Sequence, residues 1–189
     1  MLDEIQSSVI NTIIDDGKNV LLTGLPGTGK TFTIRELIRE LEKANKNFEV
    51  TAMTGSAASL IGGKTLHSTL GIGLAKEENN LAFSMFRKKE IIRRMDVLII
   101  DEISMFGKEL FEKVSKGLST LRNDRSPFGG IQVVFSGDFA QLPPVNDDFC
   151  IESILWNYLN LKMITLNKSY RQDSDTEFLN ILNRVRFDT

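Results

Sequence analysis

The chain has 189 residues, of which 41% are hydrophobic and 25% are charged, and its net charge is −2. This composition is typical of one soluble globular domain, and it argues against a protein that binds nucleic acid over its whole surface. No apolar run approaches the roughly 18 residues of a membrane span, no signal-peptide pattern opens the chain, and the single cysteine, Cys150, cannot form an internal disulfide. We therefore expect an intracellular monomer without membrane contact, whose compartment (cytoplasmic, nuclear, mitochondrial or viral) the sequence leaves open.

The first predicted element is a helix over residues 2–14, where apolar residues recur at helical spacing. Asp3 and Glu4 lie near its start, where the helix dipole favours acids. Gln6 lies on the same helix. Its amide both donates and accepts, as contact with an adenine edge requires, but the sequence alone favours a solvated surface glutamine.

A glycine-rich stretch, GLPGTGKT, follows a predicted strand over residues 19–23 and precedes a predicted helix over residues 32–43. It fits the pattern GxxxxGK[ST], in which glycines let backbone N–H groups surround phosphate oxygens at a helix amino terminus. Lys30 would reach the β- and γ-phosphates, and the Thr31 hydroxyl would ligate Mg²⁺. The flanking strand and helix argue against a chance glycine turn. The predicted ATP-binding residues of the loop are Gly24, Leu25, Pro26, Gly27, Thr28, Gly29, Lys30 and Thr31.

Two segments rich in small and hydroxyl-bearing residues follow a predicted strand over residues 48–53. Residues 54–59 form a turn into a short helix, and residues 62–68 include the only histidine. Such segments could hold a sugar–phosphate backbone without reading bases. The alternative is a loop with a capped helix and a hydrogen-bonded core histidine. Residues 74–95 are predicted to form a basic helix, with a polar loop at 76–80, and its charges favour a solvated face.

A continuous apolar run, Val97–Ile100, is typical of a central parallel strand buried on both faces. It ends in Asp101 and Glu102, at the edge of the sheet where the glycine-rich loop also opens. Asp101 would hold Mg²⁺ directly or through water, and Glu102 would orient and deprotonate the attacking water. Because burying two adjacent carboxylates without partners is costly, the pattern indicates hydrolysis of a nucleoside triphosphate.

The second half of the chain continues the alternation of helices and strands. A helix over residues 105–122, a turn at 127–130 and a strand over 131–136 lead to a loop stiffened by two prolines. In that loop Gln141 is a candidate sensor of the γ-phosphate. A helix over 151–159 and a strand over 162–166 lead to Arg171, a candidate for stabilising charge on the transferring phosphoryl group or one member of a surface ion pair. A helix over 178–185 follows.

In this order, the motifs GLPGTGKT, TAMTGSAASLIGGKTLHS, DEISM, PFGGIQVVFSGDFAQLPPV and LNKSYRQ resemble those of the petite-integration-frequency (PIF) family of superfamily-one DNA helicases. The resemblance covers nearly the whole chain. It implies an enzyme that hydrolyses ATP with Mg²⁺, moves along single-stranded DNA and unwinds duplex DNA from five-prime to three-prime, in replication, repair or recombination.

The resemblance also implies roles for individual residues. Gln6 corresponds to the adenine-contacting glutamine, Gln141 to the γ-phosphate sensor and Arg171 to an arginine that faces the γ-phosphate. Lys30, Glu102, Gln141 and Arg171 are therefore the predicted catalytic residues, and Thr31 and Asp101 the metal ligands. The residues implied in contacts with the DNA strand are Thr54, Gly55, Ser56, Lys64, Thr65, His67 and Ser68.

The implied fold is the α/β fold of RecA-like P-loop NTPases, with a parallel sheet of about five strands and helices on both faces. Residues 1–189 match only the first of the two motor domains of such a helicase. We therefore expect the second domain to be missing, and this chain alone not to unwind DNA. One alternative is a small-molecule P-loop kinase, for which no arginine-rich lid is visible. Another is a regulatory module that does not unwind, in which an intact Lys30, Asp101 and Glu102 would be unexpected.

Overall fold

The computed structural model describes residues 2–73 and 81–168, which form an α/β fold around a six-stranded parallel sheet. The helices and strands, in chain order, are α1 (Glu4–Ile14), β1 (Val20–Gly24), α2 (Lys30–Lys43), β2 (Phe48–Ala52), α3 (Gly55–Leu60), β3 (Lys64–Thr65), α4 (Leu66–Leu70), α5 (Leu81–Met85), α6 (Lys89–Arg94), β4 (Val97–Asp101), α7 (Lys108–Arg122), β5 (Gln132–Ser136), α8 (Ile154–Tyr158) and β6 (Lys162–Leu166). Short 3-10 segments are Phe86–Lys88, Ile103–Met105, Pro127–Gly130 and Cys150–Glu152.

Apolar side chains pack on both faces of the sheet, as the apolar run of β4 predicts. Successive residues of a strand point to opposite faces, so Val97 and Ile99 join one core with residues of α1, α2 and α3. Leu98 and Ile100 join the other core, with residues of α4, α5, α6 and α7. The predicted arrangement of helices on both faces is thereby confirmed.

The order of strands in the sheet is β3-β2-β4-β5-β1-β6. Because the strands are parallel, their carboxyl ends meet at one edge, which collects the residues that follow each strand. β5 lies between β1, which leads into the glycine-rich loop, and β4, which ends in Asp101. The residues that follow β5 are therefore placed between the two strongest motifs of the sequence.

Four predictions about elements need correction. The sheet has a sixth strand, β3, whose two residues are too few to show a periodicity. The helix predicted from residue 105 begins at Lys108, because residues 103–105 form a 3-10 turn and Phe106 is extended. The segment 81–94 is two short helices joined by a 3-10 turn, and the segment 150–158 is interrupted at Ser153. The predicted turn at 127–130 is present, as a short 3-10 segment in which Phe128 and Gly129 have left-handed backbones.

Some predictions concern residues outside the described part of the chain. These are the polar loop at 76–80, Arg171 and the helix at 178–185. Within residues 2–73 and 81–168, no helix combines the length and the apolar character that a membrane crossing needs.

Candidate nucleotide site and strand-binding face

The loop between β1 and α2 has the backbone of a phosphate cradle. Gly24, Gly27 and Gly29 have φ angles of +151°, +84° and +91°, which favour glycine. A Cβ at Gly24 would lie 2.6 Å from the carbonyl oxygen of Leu166 on β6 and 2.7 Å from Oγ1 of Thr28. Only a glycine therefore fits where the loop leaves the sheet.

The Lys30 side chain lies inside this loop. Its Nζ donates to the carbonyl oxygens of Gly24 at 2.6 Å and Leu25 at 3.2 Å. Its charge also opposes the upward shifts in the pKa of Asp101 and in the pKa of Glu102. The structure thus brings the lysine of the loop and the two acids after β4 into one electrostatic environment, as the sequence predicts.

The two acids share this edge of the sheet. Burial raises the pKa of Asp101, and the adjoining Ser136 hydroxyl and the Lys30 charge oppose that shift. Burial also raises the pKa of Glu102, and repulsion from Asp101 and Asp138 adds to it. Glu102 has a left-handed backbone with φ of +55°, an uncommon conformation for a residue with a side chain. A cation at this edge would favour both ionised carboxylates.

The residues at this edge fit a magnesium–nucleotide complex better than a metal held by protein alone. In the described ranges, no group of three or more His, Cys, Asp or Glu side chains is placed to hold a metal ion. Mg²⁺ in nucleotide sites usually takes one or two protein oxygens and completes its shell with phosphates and water. Thr31, in the first turn of α2, and the buried Asp101 are the predicted oxygen donors.

Asp138 is an acid of this site that sequence analysis did not select. It follows β5 and is buried, with only 2% of its surface exposed. Its Oδ1 accepts from the N–H of Ala140 at 3.1 Å, and its carbonyl oxygen accepts from the N–H of Gln141 at 2.9 Å. Asp138 therefore builds the turn that carries Gln141, whose own side chain is exposed. The sequence did contain a signal for Asp138, because this acid comes just after a buried strand, as Glu102 does.

Gln6 is buried, so the solvated glutamine that the sequence alone favours is wrong. It lies at the third position of α1 and completes a capping box with Asp3. Gln6 Oε1 accepts from the Asp3 N–H at 3.1 Å, and Asp3 Oδ1 accepts from the Gln6 N–H at 2.7 Å. Asp3 and Gln6 have the spacing of a capping box, and sequence analysis missed this signal. The capping box holds the Gln6 side chain at the start of α1, and its contact with adenine stays a prediction.

The residues predicted to contact a DNA strand lie on and before two short helices. Thr54 caps α3 by accepting from the N–H of Ala57 at 3.2 Å. Thr65 caps α4 by accepting from the N–H of Ser68 at 3.2 Å. Because the Thr65 oxygen accepts in this bond, its hydroxyl hydrogen is available to a phosphate. Thr54 and Thr65 are partly buried, and the exposed members of the set are Gly55, Ser56, Lys64 and Ser68.

His67, on α4, is half-buried, and burial lowers the pKa of its imidazole below the ordinary 6.5. Among the described residues its ring makes no hydrogen bond. The capped helix of the alternative interpretation is therefore present, but its hydrogen-bonded core histidine is wrong. The neutral ring lies instead at the wall of a groove that it shares with Met105 and Val145.

The cradle, the paired acids and the parallel sheet define a P-loop nucleotide-binding domain of the RecA-like class. The family model for PIF1-like helicases matches residues 1–187, and the chain belongs to that family. It is 40% identical to the ATP-dependent DNA helicase PIF1 of Saccharomyces cerevisiae over 197 residues, which cover 98% of this chain and 23% of that protein. It is 41% identical to the ATP-dependent DNA helicase Pif1 of Psychrobacter, over 92% of this chain and 29% of that protein.

Solved structures show the same relationship. The Pif1 helicase of Candida albicans superposes with a TM-score of 0.91 at 40% identity, over 98% of this chain and 44% of that one. Bacteroides Pif1 bound to single-stranded DNA superposes with a TM-score of 0.82 at 35% identity, over 98% of this chain and 46% of that one. The predicted family and fold are confirmed. This chain spans between a fifth and a third of these curated relatives, and less than half of the solved chains.

Proposed function

We propose that this chain is the first motor domain of an ATP-dependent DNA helicase, which binds and hydrolyses ATP and holds single-stranded DNA on an adjacent face. The observation that carries the proposal is the shared environment of Lys30, Asp101 and Glu102 at one edge of the sheet. A Bacteroides Pif1 helicase in complex with ADP-AlF3 and single-stranded DNA, at 36% identity and a TM-score of 0.84, supports it.

The nucleotide chemistry follows from where these side chains lie. Lys30 would exchange the carbonyl oxygens of Gly24 and Leu25 for phosphate oxygens, which are stronger acceptors of a charge-assisted hydrogen bond. Bound Mg²⁺, held by Thr31 and Asp101, would supply charge neutralisation at the phosphates. Glu102 would accept a proton from the attacking water. Its raised pKa makes it a better base than an exposed glutamate, and it is still ionised once the pH exceeds that pKa.

The remaining nucleotide contacts complete the proposed site. Gln6, held by its capping box, would contact adenine. Gln141 would contact the γ-phosphate, and the turn that Asp138 builds would hold Gln141 in place. Arg171, which lies outside the described residues, would stabilise charge on the transferring phosphoryl group. These three roles come from the family resemblance and are open to substitution tests.

The proposed strand-binding face consists of Thr54, Gly55, Ser56, Lys64, Thr65, His67 and Ser68. Hydroxyl donors and one ammonium would hold the phosphates without reading bases. The net charge of −2 provides no general attraction for DNA, so these local contacts must supply the binding. The complete protein would bind single-stranded and duplex DNA and unwind the duplex from five-prime to three-prime, in replication, repair or recombination.

The substitution Glu102→Gln tests the proposed hydrolysis. It keeps the size of the side chain and removes the base, so we expect unchanged affinity for ATP and a fall in turnover of about 10²–10⁴-fold. The measurement is ATP affinity and steady-state hydrolysis, in this chain and in the longer protein. Glu152→Gln, the same change at an exposed residue, is the control. Turnover by Glu102→Gln equal to the control would contradict the proposal, and a regulatory module would show no turnover even before substitution.

A further inference from the structure

A groove beside the strand-binding face takes no part in the proposed nucleotide site. It lies between α4, the start of α7 and the loop that follows β5, and its volume is about 440 Å³. Rings and aliphatic groups form much of its wall, namely those of His67, Met105, Leu110, Pro144 and Val145. Val145 is 81% exposed, so this apolar surface is open to a ligand. The volume lies within the roughly 300–1,000 Å³ of small-molecule pockets.

The charged groups of the groove make it a poor phosphate site. Its carboxylates belong to Glu109 and Asp147, and its one ammonium belongs to Lys113. Lys113 is already paired with Glu109 at 2.6 Å, which leaves the Asp147 carboxylate to repel an anion. A DNA backbone would therefore stay outside, whereas an uncharged ring can enter and pack against the apolar wall.

The groove is preformed by its neighbours. Asp147 Oδ2 accepts from the N–H of Glu109 at 3.0 Å, and the N–H of Lys108 donates to the carbonyl oxygen of Asp148 at 2.9 Å. These bonds fasten the loop to the first turn of α7, and consecutive prolines at 143 and 144 stiffen it. A ligand would not have to order the loop before binding.

The position of the groove points to the occupant. His67 lies on α4 between Thr65 and Ser68, the hydroxyl-bearing residues proposed to contact phosphates. A strand held there by its phosphates would pass beside the groove, because His67 also lines the groove. Histidine is one of the side chains on which unpaired bases stack.

We propose that this groove accepts one unpaired base of the bound DNA strand, which packs between the His67 imidazole and the Val145 side chain. The proposal rests on the proposed binding of a strand along α4 and adds a contact with a base to the contacts with the backbone. Base packing here would couple the strand to the loop that carries Gln141, because Val145 and Gln141 belong to the same connection after β5.

The test compares two fluorescein-labelled strands of equal length, an oligothymidylate and an abasic deoxyribose phosphate, by fluorescence anisotropy with the 189-residue chain. Val145→Asp adds a carboxylate to the groove, and the residue is too exposed for the change to disturb the core. Ile154→Asp, at a residue of α8 that is 67% exposed, is the matched control. We expect the wild-type chain and the control to prefer the oligothymidylate by roughly tenfold, and Val145→Asp to lose that preference. The ratio of the two affinities is the readout, because repulsion by the new carboxylate acts on both backbones alike.

A second pair of variants tests the ring. His67→Ala should lose the preference for the strand with bases, and His67→Phe should keep it, because phenylalanine retains a stacking surface. Equal binding of both strands by the wild-type chain, or an unchanged preference in Val145→Asp, would overturn the base-binding groove and leave backbone binding intact. Failure of the wild-type chain to bind either strand would overturn the strand-binding function itself, and the groove proposal with it.

Discussion

Asp101 is a buried carboxylate, and its burial affects the stability of the fold. Burial raises its pKa above the ordinary 3.8, so the folded chain binds this proton more tightly than the unfolded chain does. By linkage, the stability that this proton contributes is present at pH values below 3.8 and is lost as the pH rises through the raised pKa. At neutral pH the ionised Asp101 therefore lowers the free energy of unfolding of the ligand-free chain.

We expect Asp101→Asn to raise the melting temperature of the ligand-free chain at neutral pH, since the amide carries no charge to bury. Each kcal/mol regained should appear as roughly 2–4 °C in a chain of this size. The gain should shrink as the pH falls through the raised pKa. Differential scanning fluorimetry across this range checks the prediction, with Asp148→Asn, at an exposed residue, as the control. A lower melting temperature for Asp101→Asn than for the control at neutral pH would contradict it.

At the scale of elements, the Asp147 side chain fastens the connection after β5 to the start of α7. Asp147 caps the helix from another segment, because its carboxylate accepts from the N–H of Glu109. The carboxylate occupies the space beside Gly107, where a Cβ would clash with Asp147 Oδ2. Gly107 also pairs with Phe149 in an isolated bridge. The helix that follows Glu102 and the loop that follows Gln141 are therefore joined at one point.

Substitutions at this junction should be non-additive. We expect Asp147→Ala to destabilise the chain by about 1 kcal/mol, as loss of a helix cap usually does. Gly107→Ala should destabilise it because the new Cβ and the Asp147 carboxylate cannot both fit. In the double variant the clash with the carboxylate is gone and only the Cβ of residue 147, 2.9 Å away, stays close, so its loss of stability should be smaller than the combined loss of the single variants. Urea unfolding measures all three, and simple additivity would show that the two residues do not compete for this space.

The single tryptophan of the chain, Trp156 on α8, lies against the same loop. Its ring stacks on Phe135 of β5, with centroids 5.5 Å apart, and meets the edge of Phe139 at 6.1 Å. Phe139 lies two residues before Gln141. Any movement of this loop on γ-phosphate contact should therefore alter the surroundings of the indole.

We expect an unhydrolysed ATP analogue with Mg²⁺ to change the tryptophan emission of this chain, and ADP to change it less, because ADP lacks the γ-phosphate. Phe139→Leu should weaken the response without altering nucleotide affinity, since leucine keeps the packing but loses the ring contact. Leu155→Met, at a partly buried position of α8, is the control. Identical emission with the analogue and with ADP would contradict a loop that senses the γ-phosphate.

At the scale of the whole molecule, the described residues form one RecA-like fold with an apolar core on each face of its sheet. The curated relatives are more than three times as long as the matched region, which covers 23% and 29% of them. Directional movement along DNA requires two bodies that open and close around the nucleotide. The proposed second domain would add the other half of both the nucleotide site and the strand groove.

We expect the 189-residue chain alone to bind nucleotide and single-stranded DNA weakly, to hydrolyse ATP slowly, and not to unwind a duplex. Adding single-stranded DNA should raise its ATP turnover far less than it raises the turnover of the longer protein. Parallel ATPase and strand-displacement assays of the two proteins provide the measurement. Steady DNA-stimulated turnover by the shorter chain, comparable with that of the longer one, would show that one domain is sufficient.

Local patterns in the sequence correctly predict much of this molecule. The last strand, Lys162–Leu166, has the predicted bounds, and the glycine-rich loop joins the strand and helix that its neighbours indicate. These features depend on apolar periodicity and on glycine, which act over a few residues. Where the pattern was short, as in β3, or where a polar residue caps a helix, as Gln6 does, the same reasoning failed.

The sequence by itself determined which groups the proposed chemistry uses: the phosphate loop with Lys30, and the acids Asp101 and Glu102 after a buried strand. Only the tertiary structure decided that β5 lies between the strands of these two motifs, so that Asp138 comes close enough to raise the pKa of Glu102. Only the tertiary structure placed His67 and Val145 on one groove. The physical reason is that strand order and groove walls follow from packing between segments distant in the chain, which no local pattern of residues records.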